Sequence, residues 1–166
     1  MMQLSEIINL DILLLKVIKM FNLSIFAERL SELMFDNDNI KSPQLAKMIG
    51  IHRTTITRYL SCNRMPTLPN AILLADFFKC TLDFLLGVEN ESYQTDFKSC
   101  PPFNQRFAYL FEHFNKSKIG LRDEKEISES IIFDWLRGDV LPSIDNLIKI
   151  SEYFGCSVDF VVGRGD

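Results

Sequence analysis

Positive charge is in short supply in this chain. It has 18 Lys and Arg against 22 Asp and Glu in 166 residues, a net charge of −4. That excludes a uniformly basic nucleic-acid coat, although a whole-chain balance can hide local patches. Histidine occurs only at positions 52 and 113, and none of the cysteines 62, 80, 100 and 156 forms a CxxC pair. A zinc site is therefore not expected. Cys80 and Cys156 stand on apolar stretches and read as small buried hydrophobes of a reducing, cytoplasmic compartment. There is no Gly-rich phosphate loop, and neither His52 nor His113 has a nucleophile or carboxylate in motif spacing, so the chain reads as no enzyme and needs no cofactor. His113 reads as a surface or boundary residue. Long uncharged runs are also missing. The apolar stretch Ile7 to Phe26 is broken by Asp11, Lys16 and Lys19, far short of the ~20 apolar residues a bilayer requires. It does not place charge first and small residues last as a signal peptide does. Strand-type alternation is absent throughout. The closing Arg164-Gly165-Asp166 spells an adhesion tripeptide, read here as coincidence.

What the chain does have is repetition. PTLPNAILLADFFKCTLDFLLG (66–87) returns as PSIDNLIKISEYFGCSVDFVVG (142–163), displaced by 76 positions without a gap. Upstream, Leu45/Leu121, Ile51/Ile127, Ile56/Ile132, Tyr59/Trp135 and Leu60/Leu136 keep that register. One residue fewer in the second copy then aligns Phe26, Arg29 and Leu33 with Phe103, Arg106 and Leu110. Apolar, Gly and Pro positions matching over most of two segments predict two copies of one small domain. With 47% hydrophobic and 24% charged residues, the composition is that of a soluble globular chain.

Four zones follow. Residues 1–23 form an apolar leader helix whose charged positions scatter around the wheel, so it needs burial against the domain or a second subunit. Ile12, Leu15, Ile18 and Phe21 are expected in a subunit interface or across the two repeats. The first repeat occupies 24–88, a polar, Pro-ended linker 89–102, and the second repeat 103–166. All periodic stretches are helical: Phe26, Leu30 and Leu33 recur at i, i+4 and i+7. Ser42 followed by Pro43 reads as a capping hydroxyl with Pro in the first turn. Gly50 stands where a short helix must end with positive φ. A helix from about Arg53 to Leu60 carries Ile56, Tyr59 and Leu60 inward. Another spans Leu68 to Phe78. A short fifth is capped by Thr81, with Asp83 favourable in its first turn.

The segment KSPQLAKMIGIHRTTITRYLSCNR (41–64) carries the chemistry. Leu45, Ala46 and Ile49 face inward on one short helix, Gly50-Ile51 turns the chain, and a second short helix follows. Small Ala46 lets the two cross closely, the sequence form of a helix-turn-helix. His52, Arg53, Thr54, Thr57 and Arg58 then point outward. Arg suits guanine edges, and Thr suits the thymine methyl or a hydroxyl contact. The segment contains Lys41, Lys47, Arg53, Arg58 and Arg64 and no acid, a formal +5 in an otherwise acidic chain.

In FAERLSEL, LAKMIGIHRTTITRYL and NRMPTLPNAILLADFFKCTLDFLLG, residues 26–87 resemble the XRE-type helix-turn-helix family of Cro and the lambdoid phage repressors. The resemblance implies an all-α fold of two tandem five-helix domains preceded by the apolar helix. It implies sequence-specific binding of double-stranded DNA, usually as a homodimer on a palindrome. By family role, Lys41, Ser42 and Gln44 lie at the start of the second helix, with Ser42 and Gln44 on phosphate or base. His52, Arg53, Thr54 and Arg58 read bases beside Thr57, and Asn63 and Arg64 grip the backbone. Cys62 departs from the usual Gly after the recognition helix, and Asn63 is expected to take the left-handed turn.

The second copy differs where the first is basic. Residues 117–140 hold four bases and six acids, a net of −2; Ala46 has become Arg122, Gly50 has become Glu126, and Arg53 and Arg58 have become Glu129 and Asp134. Carboxylates there are repelled by phosphates. Trp135, Leu136, Gly138 and Pro142 keep the fold signal. The leading reading is a cytoplasmic DNA-binding regulator, a repressor. Its first repeat reads DNA and its second serves dimerisation or a protein partner. The alternative is a protein-interaction module, antirepressor- or antitoxin-like, using the same fold without operator reading.

Overall fold

The computed structural model describes residues 4–92 and 97–165, with residues 4–11 described as backbone only. The described residues form ten helices and no strand: α1 (Leu4–Asp36), α2 (Ser42–Ile49), α3 (Arg53–Leu60), α4 (Leu68–Phe78), α5 (Leu82–Leu85), α6 (Phe103–His113), α7 (Lys118–Lys125), α8 (Glu129–Arg137), α9 (Ile144–Phe154) and α10 (Val158–Val162). The all-α, five-helices-per-repeat expectation is met. Its first three residues aside, the leader is helical, but it is not separate: α1 runs unbroken through Leu23 and Ser24 into the first repeat. No Gly or Pro stands there to stop it, and Ser24 alone costs an interior helix only a few tenths of a kcal/mol.

Contacts divide the chain into two compact units, Met1–Met65 with Leu85–Gly87, and Pro66–Phe84 with Val88–Asp166. In the first, α1 and α2 both pack on α3. Its core holds Phe26, Leu30, Leu45, Ala46, Ile56 and Tyr59, with Phe26 edge-on to Tyr59 at 5.5 Å. Gly50 ends α2 at φ +72, as its position predicts. Gly87 is also left-handed, at φ +78, and a Cβ there would lie 2.2 Å from Ile25 Cγ2, so no other residue fits.

In the second unit α6 packs on α8 and α10, α7 on α8 and α9, and α9 on α10. Trp135 is 1% exposed and edge-on to Phe107; Ile127 and Ile132 are buried beside the same core, as their spacing predicts. Glu126 takes the left-handed position of Gly50, at φ +52, so the turn survives the loss of glycine. His113 is exposed and stacks on Tyr109. Cys80 is buried and Cys156 half-buried; burial pushes their thiols up to about 12 and about 11, so both stay neutral.

The two short fifth helices exchange caps. Thr81 Oγ1 accepts from Phe84 N–H at 3.1 Å, as expected of a local N-cap. Asp83 stands in the first turn of α5, as expected, but its side-chain hydrogen bonds go to the other short helix. Its carboxylate accepts from Val158 N–H at 2.9 Å and from Asp159 N–H at 3.3 Å, at the start of α10. Asp159, its equivalent in the second repeat, accepts from Leu82 N–H at 2.7 Å, at the start of α5. Arg164 closes the arrangement. It is 0% exposed and donates to Asp159 Oδ1 (2.6 Å), Asp76 Oδ1 (2.6 Å) and the Cys80 carbonyl (2.9 Å), with Phe97 stacked 3.6 Å from its guanidinium carbon. The arginine of the adhesion-like tripeptide is therefore an interior residue, closed to any external ligand.

Burial raises the Asp83 carboxyl to about 6, against the downward pull of the N–H groups of Val158 and Asp159. Its folded pKa thus lies above its unfolded value. The stability it contributes is full below the unfolded pKa of about 3.9 and is lost as pH rises through about 6. Urea unfolding is expected to show the gap between the wild type and Asp83→Asn shifting in favour of the wild type from pH 7 to pH 5. A pH-independent gap would contradict the assignment.

Candidate nucleic-acid interface

The outward face of α2–α3 is built by local rules. Helix α2 is capped one residue before the expected position. Lys41 is the N-cap, and Gln44 Oε1 reaches back to accept from the Lys41 N–H at 2.9 Å. The expected Ser42 cap is therefore corrected. Ser42 is already the first helical residue, and Pro43 follows it. This frees Ser42 to line the surface. His52 caps α3: its Nδ1 accepts from Thr54 N–H at 3.3 Å and lies 2.8 Å from Thr54 Oγ1. Thr57 Oγ1 donates to the Arg53 carbonyl at 3.1 Å, which leaves the Thr57 methyl as the group able to meet a base. After α3 the left-handed residue is Cys62, at φ +55, and not Asn63. Asn63 instead donates from Nδ2 to Ser61 Oγ at 2.8 Å, while Ser61 Oγ donates to the Thr57 carbonyl at 2.9 Å. That chain of bonds holds Asn63 in its place and passes the strained conformation to Cys62.

Ser42, Pro43, Arg53, Thr54, Thr57 and Arg58 come together around one open groove of about 440 Å³. Five of the ten residues singled out by sequence line it. Lys41, Gln44, His52, Asn63 and Arg64 are exposed around it or serve the caps and turn just described. Pro43 was missed, although its place between two singled-out residues was a sufficient signal. The N-termini of α2 and α3 both open toward this groove, adding partial positive charge to the two guanidinium groups. Lys47, Arg53, Arg58 and Arg64 have no carboxylate partner among the described residues, and Lys41 Nζ donates only to Asn39 Oδ1 at 2.9 Å.

The same face in the second repeat is discharged internally. Arg122 holds Asp123 at 2.7 Å and lies 3.9 Å from Glu129. Arg137 is hydrogen-bonded to Asp134 and to Asp139, the latter at 2.7 Å, and Lys125 holds Glu152 at 2.7 Å. The bond from Arg122 holds the Asp123 carboxyl below its usual range. Such exposed pairs contribute little to stability, but they cancel the charge that would face a phosphate.

Comparison with known families gives a helix-turn-helix match at residues 41–85 and again at 112–161. No curated protein and no solved structure gives a significant match. Among the described residues no helix is long and apolar enough to cross a membrane. The two matched segments cover more than half the chain, from α2 to α5 and from the last residues of α6 to α10. The chain belongs to the helix-turn-helix family, in two tandem copies, and is a DNA-binding regulator of the XRE type.

Proposed function

We propose that the first repeat reads double-stranded DNA and that the second does not, the chain acting in the cytoplasm as a repressor. One contrast carries this reading. Arg53 and Arg58 line an open groove at two helix N-termini without carboxylate partners, whereas Arg122 and Arg137 are held by acids of their own repeat. Ser42 and Gln44 contact phosphate or base at the start of α2. His52, Arg53, Thr54, Thr57 and Arg58 face bases. Lys41, Asn63 and Arg64 hold the phosphate backbone. Two copies of the chain engage DNA together, and the second repeat contributes a scaffold or a protein-binding face.

Selection from a random DNA pool with the full chain, followed by gel shifts in a salt series, tests the reading. Each phosphate contact contributes about −0.9 to the slope of log K against log salt. Charge reversal at Lys41 or Arg64 is expected to flatten that slope by about one unit. Reversal at Lys118 or Arg137 should leave it unchanged. A larger effect from the second pair would exchange the roles of the repeats. No selected sequence at all would favour the protein-interaction alternative.

A further inference from the structure

The N-terminal half of α1 extends beyond the core that its C-terminal half builds. Burial begins at Phe26 and Ala27, whereas the eight large apolar side chains from Ile12 to Phe21 are each between 45% and 69% exposed. None of Ile12, Leu15, Ile18 and Phe21 is covered within the chain. The five of them that share one side of the helix, Leu13, Leu14, Val17, Ile18 and Phe21, present on the order of 500–600 Å², about what one partner contributes at the small end of stable protein interfaces. A contiguous apolar patch of that size lies at the top of the range monomeric proteins show and marks an interaction site.

The pattern on the helix is specific. At about 100° per residue, Leu14, Val17 and Phe21 fall in one narrow sector, flanked by Leu13 and Ile18. Their spacing of three and then four is that of a helix-pairing seam. Lys16 and Lys19 project from the opposite side. Ile12 lies between the two lysines, so the helix lacks the continuous charged face that a helix lying in a membrane surface needs. The helix is one unbroken rod of 33 residues, so pairing orders little that is not already ordered.

We infer that the Leu14–Val17–Phe21 seam of α1 is a self-association surface, occupied by the same seam of a second copy. An isologous contact needs no other partner, because one patch serves both sides. The inference rests on the reading that two copies act together, and it is tested without DNA, so its failure stays distinct from failure of DNA reading.

Sedimentation equilibrium of the full chain is expected to give twice the 19.2 kDa chain mass. Leu14→Glu with Phe21→Glu should give the single-chain mass with an unchanged helical circular dichroism signal. Lys16→Glu with Lys19→Glu, on the opposite side, should remain dimeric. A monomeric wild type overturns the inference, as does a seam variant that stays dimeric. Monomeric wild type that partitions onto phosphatidylcholine–phosphatidylglycerol vesicles would assign the face to lipid instead.

Discussion

Arg164→Ala is expected to destabilise the protein by about 3–5 kcal/mol, the cost of removing one partner from a buried ion pair. Arg164 is 0% exposed and Asp159 4%. Without the guanidinium, the Asp159 carboxylate loses its buried counter-charge and keeps the Leu82 N–H of the first repeat. The Cys80 carbonyl loses a donor as well, and Phe97 loses the cation stacked on it. Domains are stable by about 5–15 kcal/mol in all, so the loss is a large share. Urea unfolding should show the midpoint falling with an unchanged slope. Arg164→Lys should recover only part of the loss, since one ammonium does not reproduce a fork with three directed contacts. Asp76→Asn should cost under about 1 kcal/mol, because that carboxylate is half exposed and solvent already supports it. An Arg164→Ala midpoint equal to the wild type would remove Arg164 from the account of how the repeats are joined.

The sequence made legible what short-range periodicity encodes. The paired segments 66–87 and 142–163, the helix positions and the burial of Ile56, Tyr59, Ile132 and Trp135 all follow from where apolar residues recur. Gly50 was legible because a helix end with positive φ has one preferred occupant. Choices decided by one residue of register were less so. Ser42 and Lys41 compete for the cap, and Gln44, three residues after Lys41, settles it by reaching back. Cys62 and Asn63 compete for the left-handed turn, and the bond from Asn63 to Ser61 settles that. The exchange of caps was not legible at all. A carboxylate in a first helical turn reads as favourable to its own helix, whereas the N–H groups that Asp83 caps lie 75 and 76 positions away. Arg164 sat in a tripeptide with no periodic context, so nothing near it in the chain pointed to Asp76 or Cys80.

The second repeat keeps the helix-turn-helix fold without the basic face. Trp135 and Ile132 stay buried, and Glu126 accepts the left-handed turn that Gly50 takes more cheaply. Maintaining Asp159 under the fifth helix of the first repeat gives the second repeat a structural task independent of DNA.

Arg53→Ala and Arg58→Ala are each expected to weaken binding to the selected DNA site by about 1–3 kcal/mol, about fivefold to somewhat over a hundredfold. Both side chains are exposed on α3 and line the groove with Ser42, Thr54 and Thr57. Neither contributes to the core of the first unit, which is filled by Phe26, Leu30, Leu45, Ile56 and Tyr59. The loss should therefore appear in binding while thermal unfolding of the free protein stays within about 0.5 kcal/mol of the wild type. A base-reading arginine also relaxes specificity at its position, whereas a phosphate contact lowers affinity for every sequence alike. Gel shifts against the selected site and a set of single-base variants separate the two roles. Arg53 lies in the first turn of α3 and Arg58 in its last, so the positions they relax should differ. Glu129→Arg with Asp134→Arg in the second repeat should not create a comparable reader, because Arg122, Glu126 and the acidic neighbours Asp123 and Asp139 still stand where the first repeat has Ala46, Gly50, Lys47 and Asn63. If both single alanine variants bind the selected site and its mismatched relatives as the wild type does, the groove between α2 and α3 is not the surface that reads DNA.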